Sequence, residues 1–266
     1  MTSMYEKAKA GMPLDDVFII DEHCHMGAFG AHLEVKNGSP ESIIMAMDIL
    51  GIDKALVTHG MSLMSDFKAG NDLVLDAIEK YPGRFLGYCT VNPLYPEELK
   101  QELTRCFRFK GMLGIKLHPY AHERPMSYKH YRPAFTFAAK RRLFVMTHTY
   151  TQEDIKTTDI LAAEFPEATF IMAHTGGEKY NVERALEVIA RHDNVYGDLA
   201  VSQSMEGVIE WYVREVGSKK ILFGTDMPYM SPVATVALVA MSEISDDEKR
   251  DIFGLNMQRI IDKIIM

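Results

Sequence analysis

Two histidines separated by a single residue, His23 and His25, close the apolar, β-branched stretch VFIIDEHCHM. Successive side chains of an extended strand point to opposite faces, so both imidazoles share one face and Cys24 takes the other. Two imidazoles on one face can converge on a single ion. With ten histidines in the chain, however, one His-x-His pair is not far from chance, and its setting must carry the argument. Other residues able to ligate, transfer protons or hold charge follow at intervals: Lys116 and His118 in GIKLHP, His148 in THT, His174 in AHTGG and Asp226 in GTDMP.

The elements that must position these residues repeat one phrase, a short β-branched or aromatic run followed by a loop and a segment of helical spacing. Eight such runs occur: VFIIDEHCH, KALVTHG, RFLGYCTV, GIKLH, LFVMTHT, TFIMAHT, NVYGDLA and KILFGTD. Between them lie helical stretches such as SPESIIMAMDILG, GNDLVLDAIEKYPG and YNVERALEVIARH, several closed by Gly or Pro, as helix stops are. Strand and helix alternating eight times over this length predict an α/β protein with a (β/α)8 TIM barrel fold. A doubly wound open sheet is the alternative, weakened because no Gly-rich phosphate fingerprint follows the first run. Without a linker or composition break, residues 1–266 read as one domain, with SDDEKRDIFGLNMQRIIDKIIM as two last helices packing the barrel shut. His23, His25, Lys116, His118, His148, His174 and Asp226 all fall where a strand gives way to its loop. That end of the strands is the catalytic mouth of such barrels.

Composition narrows the functional classes. The chain of 266 residues is 47% hydrophobic and 25% charged, with 29 basic against 37 acidic residues for a net charge of −8. An acidic balance disfavours a nucleic-acid footprint. Three widely spaced cysteines, Cys24, Cys89 and Cys106, support neither a disulfide framework nor a zinc ribbon and fit a reducing cytoplasm. The longest apolar run, VATVALVAM, is half a membrane span, so no membrane anchoring is expected.

The motifs DEHCH, GIKLHP, THT, AHTGG and GTDMP, in this order, resemble the amidohydrolase superfamily of metal-dependent TIM-barrel enzymes, and specifically its amidohydrolase-2 branch. That branch includes decarboxylases similar to aminocarboxymuconate semialdehyde decarboxylase. GIDKALVTHG, YPGRFLGYCTVNP and IFGLNMQRII extend the likeness from about Asp21 to Ile261. The resemblance implies that His23, His25, His148 and Asp226 bind one metal, with His174 beside it. Imidazole and carboxylate suit Zn²⁺, which would lower the pKa of bound water to about 7. Asp226 would then take the proton and His174 would polarise the substrate or orient the water.

Lys116 keeps three readings open: a carbamate bridging a second metal, as in dihydroorotase-like relatives; an uncarbamylated active-site cation; or a structural residue. His118 shares its face and would line the pocket. Arg124, in the long polar insertion PYAHERPMSYKHYRP, is the best candidate to grip a carboxylate, since a guanidinium binds that group bidentately. The leading expectation is a metal-dependent hydrolase of a small carboxylated amide, lactone or ester, with one Zn²⁺ per chain. The alternative is a non-oxidative metal-dependent decarboxylase. A nuclease of related fold and a non-catalytic metal-binding barrel rank below both. A homodimer is expected on base rate alone.

Overall fold

The computed structural model describes residues 3–28, 38–177, 179–200 and 207–265. Eight parallel strands follow one another in chain order: β1 Ile20–Met26, β2 Lys54–His59, β3 Phe85–Thr90, β4 Met112–Leu117, β5 Phe144–His148, β6 Thr169–Ala173, β7 Val195–Asp198 and β8 Ile221–Leu222. This is the expected (β/α)8 barrel. The α-helices are α1 Met4–Lys9, α2 Pro40–Leu50, α3 Gly60–Met64, α4 Phe67–Lys80, α5 Pro96–Cys106, α6 Pro119–His122, α7 Arg132–Arg141, α8 Gln152–Glu164, α9 Lys179–Arg191, α10 Val208–Val216, α11 Pro232–Ala240, α12 Asp246–Arg250 and α13 Asn256–Ile261. The run VATVALVAM forms most of α11, and no described helix is long and apolar enough to cross a membrane.

Two apolar layers follow from the period of two along each strand. Ile20, Leu56, Tyr88, Phe144, Met146, Ile171 and Leu222 fill the barrel interior, whose lower end Met257 and Ile260 of α13 close. Ile19, Cys24, Val57, Cys89, Val145 and Met172 face the helices instead. The tail thus closes the barrel as expected, but through α12, a π-helical turn at Asp251–Leu255, and α13 rather than two plain helices.

Closure between the last strand and the first is irregular. β8 has only two residues, and the segment after it follows β1 through separate bonds: Glu22 N to Phe223 O at 2.9 Å, Asp226 N to His23 O at 2.8 Å and His25 N to Met227 O at 2.8 Å. The chain therefore carries Asp226 alongside the histidine pair by backbone pairing alone.

Local signals set the helix ends. Gly51, at φ 79°, ends α2 and donates its N–H to Met47 O, a left-handed cap that glycine takes without steric cost. Thr151 begins α8 with a reciprocal capping box: its hydroxyl accepts from Asp154 N, and the Asp154 carboxylate accepts from Thr151 N. Thr151→Ala removes this cap three residues beyond His148. A loss of about 0.5–2 kcal/mol is expected, read as a lower urea midpoint at unchanged slope.

Candidate metal centre

β1 carries a bulge. Asp21 pairs with Ala55 and Cys24 with Val57, so Glu22 and His23 together oppose Leu56 alone. Such an extra residue breaks the alternation of faces. Cys24 packs outward, as the period of two requires, but Glu22, which strict alternation would send outward with it, accepts from Tyr88 Oη inside the barrel at 2.9 Å.

His23, His25 and Asp226 each offer one ligand atom within 4.8 Å of the others. Asp226 Oδ1 lies 3.0 Å from His25 Nε2 and 3.7 Å from His23 Nε2. Thr58 Oγ1, at the end of β2, holds His25 Nδ1 at 2.8 Å. A hydrogen bond on Nδ1 leaves Nε2 aimed at Asp226, the arrangement in which an imidazole serves as a ligand.

A second group surrounds the other side of His23. Asp198, the last residue of β7, meets His23 Nδ1 at 2.7 Å and accepts from His174 N at 2.6 Å and Ala200 N at 3.1 Å. His174 Nδ1 lies 3.0 Å from Ala200 O, and its Nε2 lies 3.1 Å from His148 Nδ1. His148 belongs to neither set of mutually close ligand atoms; it reaches them through His174. Its ring is stacked between His118, 4.3 Å away, and Tyr150, 4.8 Å away. Lys116 Nζ is fully buried, 2.8 Å from both His23 Nε2 and Met146 Sδ.

Burial sets the protonation pattern. It pushes the His23, His25, His118, His148 and His174 imidazoles below their ordinary value, with the Lys116 charge adding to the effect. Neutral imidazoles keep the lone pairs that a metal requires. Burial also lowers Lys116 to about 8, against the pull of Asp226, Asp198 and Glu22. For Asp226 burial acts upward, but the His25 hydrogen bond and the surrounding imidazoles hold the carboxyl below the usual range. Glu22 is raised well above it by burial and by the Asp198 charge.

Backbone strain gathers in the same place: His174, Thr175 and Asp226 have φ of 67°, 44° and 60°. Non-glycine residues are held in this region at a cost of about 1–3 kcal/mol each. The surrounding hydrogen bonds offset it.

Of the residues singled out from sequence, His23, His25, Lys116, His118, His148, His174 and Asp226 gather at one end of the barrel. His118 also caps α6, its Nδ1 accepting from Ala121 N at 3.1 Å. Arg124 does not join them. Its guanidinium donates to Glu123 O at 2.7 Å and lies over the Tyr128 ring, on an exposed part of the loop. The turn at Glu123, with φ 51°, follows α6 and carries the loop outward. The sequence pattern does not single out Asp198, Glu22, Tyr88 or Thr58. Asp198 follows the same end-of-strand rule as the others, in NVYGDLA, and was findable on that signal; Glu22 depends on the bulge and was not.

The amidohydrolase family model matches residues 20–262, which spans all eight strands and every residue of the cluster. The chain belongs to the amidohydrolase family. No curated protein matches the sequence. Three solved structures illustrate how well the barrel of this amidohydrolase is shared. The 5-carboxyvanillate decarboxylase of Novosphingobium aromaticivorans, complexed with manganese and 4-hydroxy-3-methoxy-5-nitrobenzoic acid, is 17% identical with a TM-score of 0.73, over 94% of this chain and 97% of that one. The 2,6-dihydroxybenzoate decarboxylase of Rhizobium is 15% identical with a TM-score of 0.71, over 92% and 99%. A TIM-barrel protein of Bordetella bronchiseptica is 16% identical with a TM-score of 0.76, over 93% and 99%. At these identities the likeness is one of fold.

Proposed function

We propose that this amidohydrolase is a metal-dependent, non-oxidative decarboxylase of a small carboxylated aromatic compound. The observation that carries the reading is the buried His23, His25 and Asp226 donor set at a mouth walled by aromatic rings. Tyr229 lies 4.9 Å from His25, and Tyr150 lies 4.9 Å from His174. Two nitrogens and a carboxylate oxygen, with the imidazoles neutral, are a fitting set for Zn²⁺, Mn²⁺ or a similar divalent ion. Bound there, the ion would supply a Lewis acid that draws electron density from the substrate's oxygens. His148, which the resemblance counted as a ligand, is proposed instead to act beside His174, to which it is joined.

The chain's own residues account for the remaining requirements. Tyr150 and Tyr229 would flank a planar ring, and the Lys116 ammonium, the buried cation nearest the donor set, would favour an anionic substrate over a neutral one. Carbamylation of Lys116 would place new oxygens where His23 Nε2 and Met146 Sδ now stand, so Lys116 is read as a cation and the site as mononuclear. Loss of CO2 leaves the electron pair of the broken C–C bond on the ring carbon, and a proton drawn from the substrate's own hydroxyl or from water is relayed to that carbon by His174 or Asp226. The names of the structural neighbours support decarboxylation ahead of hydrolysis, reversing the order the sequence suggested. Hydrolysis of a carboxylated amide, lactone or ester is the second reading, favoured by a carboxylate, Asp226, able to accept a proton from water.

The test is a panel of hydroxylated aromatic acids, lactones and amides, assayed with Mn²⁺ or Zn²⁺ for CO2 and for bond hydrolysis. CO2 release matched by the decarboxylated arene is expected, with loss of turnover on chelation and its return on adding metal. Hydrolysis without CO2 would restore the second reading, and full turnover by metal-stripped protein would remove the metal from both.

A further inference from the structure

We infer that Asp198 is a positioning residue which, together with Lys116, fixes His23 in the tautomer that presents an unprotonated Nε2 to the candidate metal centre. The inference rests on the metal site proposed above but concerns a residue that neither the motifs nor the family resemblance singled out. Neutral imidazole carries its proton on one nitrogen, and only the other can bind a metal. Both sides of the His23 ring are committed. At Nδ1, Asp198 Oδ2 lies 2.7 Å away, and a carboxylate whose other oxygen accepts two backbone N–H groups accepts here too, so Nδ1 carries the proton. At Nε2, Lys116 Nζ lies 2.8 Å away and can donate, so Nε2 keeps its lone pair. The two contacts come from different strands, β7 and β4, and demand the same tautomer.

Asp198 also belongs to a set of mutually close ligand atoms with His23 and His174, which raises the question whether it is itself a ligand. Its hydrogen bonds answer against that. Oδ2 takes the His23 ring, while Oδ1 accepts two backbone N–H groups, from His174 and Ala200. The same carboxylate therefore orients His23 and anchors the strained start of the β6 loop at His174. Further order comes from Thr175 Oγ1, which donates to Asp198 O at 2.6 Å. A carboxylate hydrogen-bonded to the far nitrogen of a metal-ligating histidine typically governs affinity by about 10- to 100-fold.

Asp198→Asn separates this role from a merely structural one. If the amide oxygen keeps the two backbone donors, its NH2 faces His23 Nδ1 and forces the ring proton onto Nε2. If the amide turns over, NH2 meets two N–H groups. Setting NH2 against two N–H groups disfavours the second arrangement, so the first prevails and metal binding suffers because Nε2 carries the proton. Zn²⁺ or Mn²⁺ titration of metal-stripped protein by calorimetry should show affinity weakened about 10- to 100-fold, while Glu102→Gln, a buried carboxylate in the Asn71 and Arg105 network far along the chain from β1, leaves it unchanged. The second readout needs no variant at Asp198 and no activity: ¹⁵N-histidine NMR of metal-stripped wild type, with the His23 signals assigned by their loss in His23→Gln. A protonated Nδ1 and bare Nε2 are expected, moving toward a protonated Nε2 in Asp198→Asn. A His23 already protonated at Nε2 in wild type, or metal affinity in Asp198→Asn within threefold of wild type, overturns the inference. Wild type that binds no metal but shows the Nδ1–H tautomer defeats the proposed function while leaving the positioning by Asp198 standing.

Discussion

Asp226→Asn should lower turnover by about 10²- to 10⁴-fold, the usual cost of losing a group that transfers a proton, while the protein stays folded. The separation of the two outcomes follows from how Asp226 is held. Its backbone N–H bonds to His23 O at 2.8 Å, and its carbonyl accepts from Tyr229 N and Met230 N; none of these bonds involves the carboxylate. Its φ of 60° is a conformation that asparagine adopts nearly as readily as aspartate. What changes is the carboxylate, 3.0 Å from His25 Nε2: an amide is a poor metal ligand and cannot carry the proton. Steady-state kinetics with thermal denaturation of the same preparation checks both halves. Retained turnover in Asp226→Asn would show that the carboxylate neither transfers the proton nor is needed to hold the metal, and a lost melting transition would show that it also holds the fold.

Phe144→Ala should cost about 3–5 kcal/mol of stability, the usual range for emptying a large aromatic site in a core. Phe144 is fully buried inside the barrel on β5, edge-on to Tyr88 at 5.4 Å between ring centroids. Gly114 on β4 exists to accommodate it, since a Cβ there would run into the Phe144 ring and press on Tyr88. The interior is a closed layer beneath the site, and little can move in to fill the void. Tyr88 hydrogen-bonds both the Glu22 carboxylate and its carbonyl at 2.9 Å, so slackening this layer also loosens the bulge that carries His23. Urea unfolding measures the loss, and a deficit below about 1 kcal/mol would mean that the interior repacks freely.

Much of this site was legible before any coordinates. His23, His25, His148, His174 and Asp226 were found because each ends an apolar run, and the period of two and the strand-to-loop boundary are local properties of a few neighbouring residues. The same locality explains the barrel itself, since eight repeats of strand and helix leave a parallel sheet few ways to cover both faces. The order of the two candidate reactions was not legible, because both would use the same residues around a metal ion and would differ in what substrate the walls admit.

The sequence by itself determined the alternation of elements, the end of the barrel where the candidate residues gather, and the residue types able to hold a metal. Only the tertiary structure decided who touches whom. It turned Glu22 inward through a bulge, set Asp198 against His23 across 175 positions of chain, joined His148 to His174 instead of to the His23, His25 and Asp226 set, and left Arg124 facing Tyr128. Each outcome depends on register between strands far apart in order and on competition for a few buried hydrogen bonds, and neither is encoded in the spacing of residues along one strand.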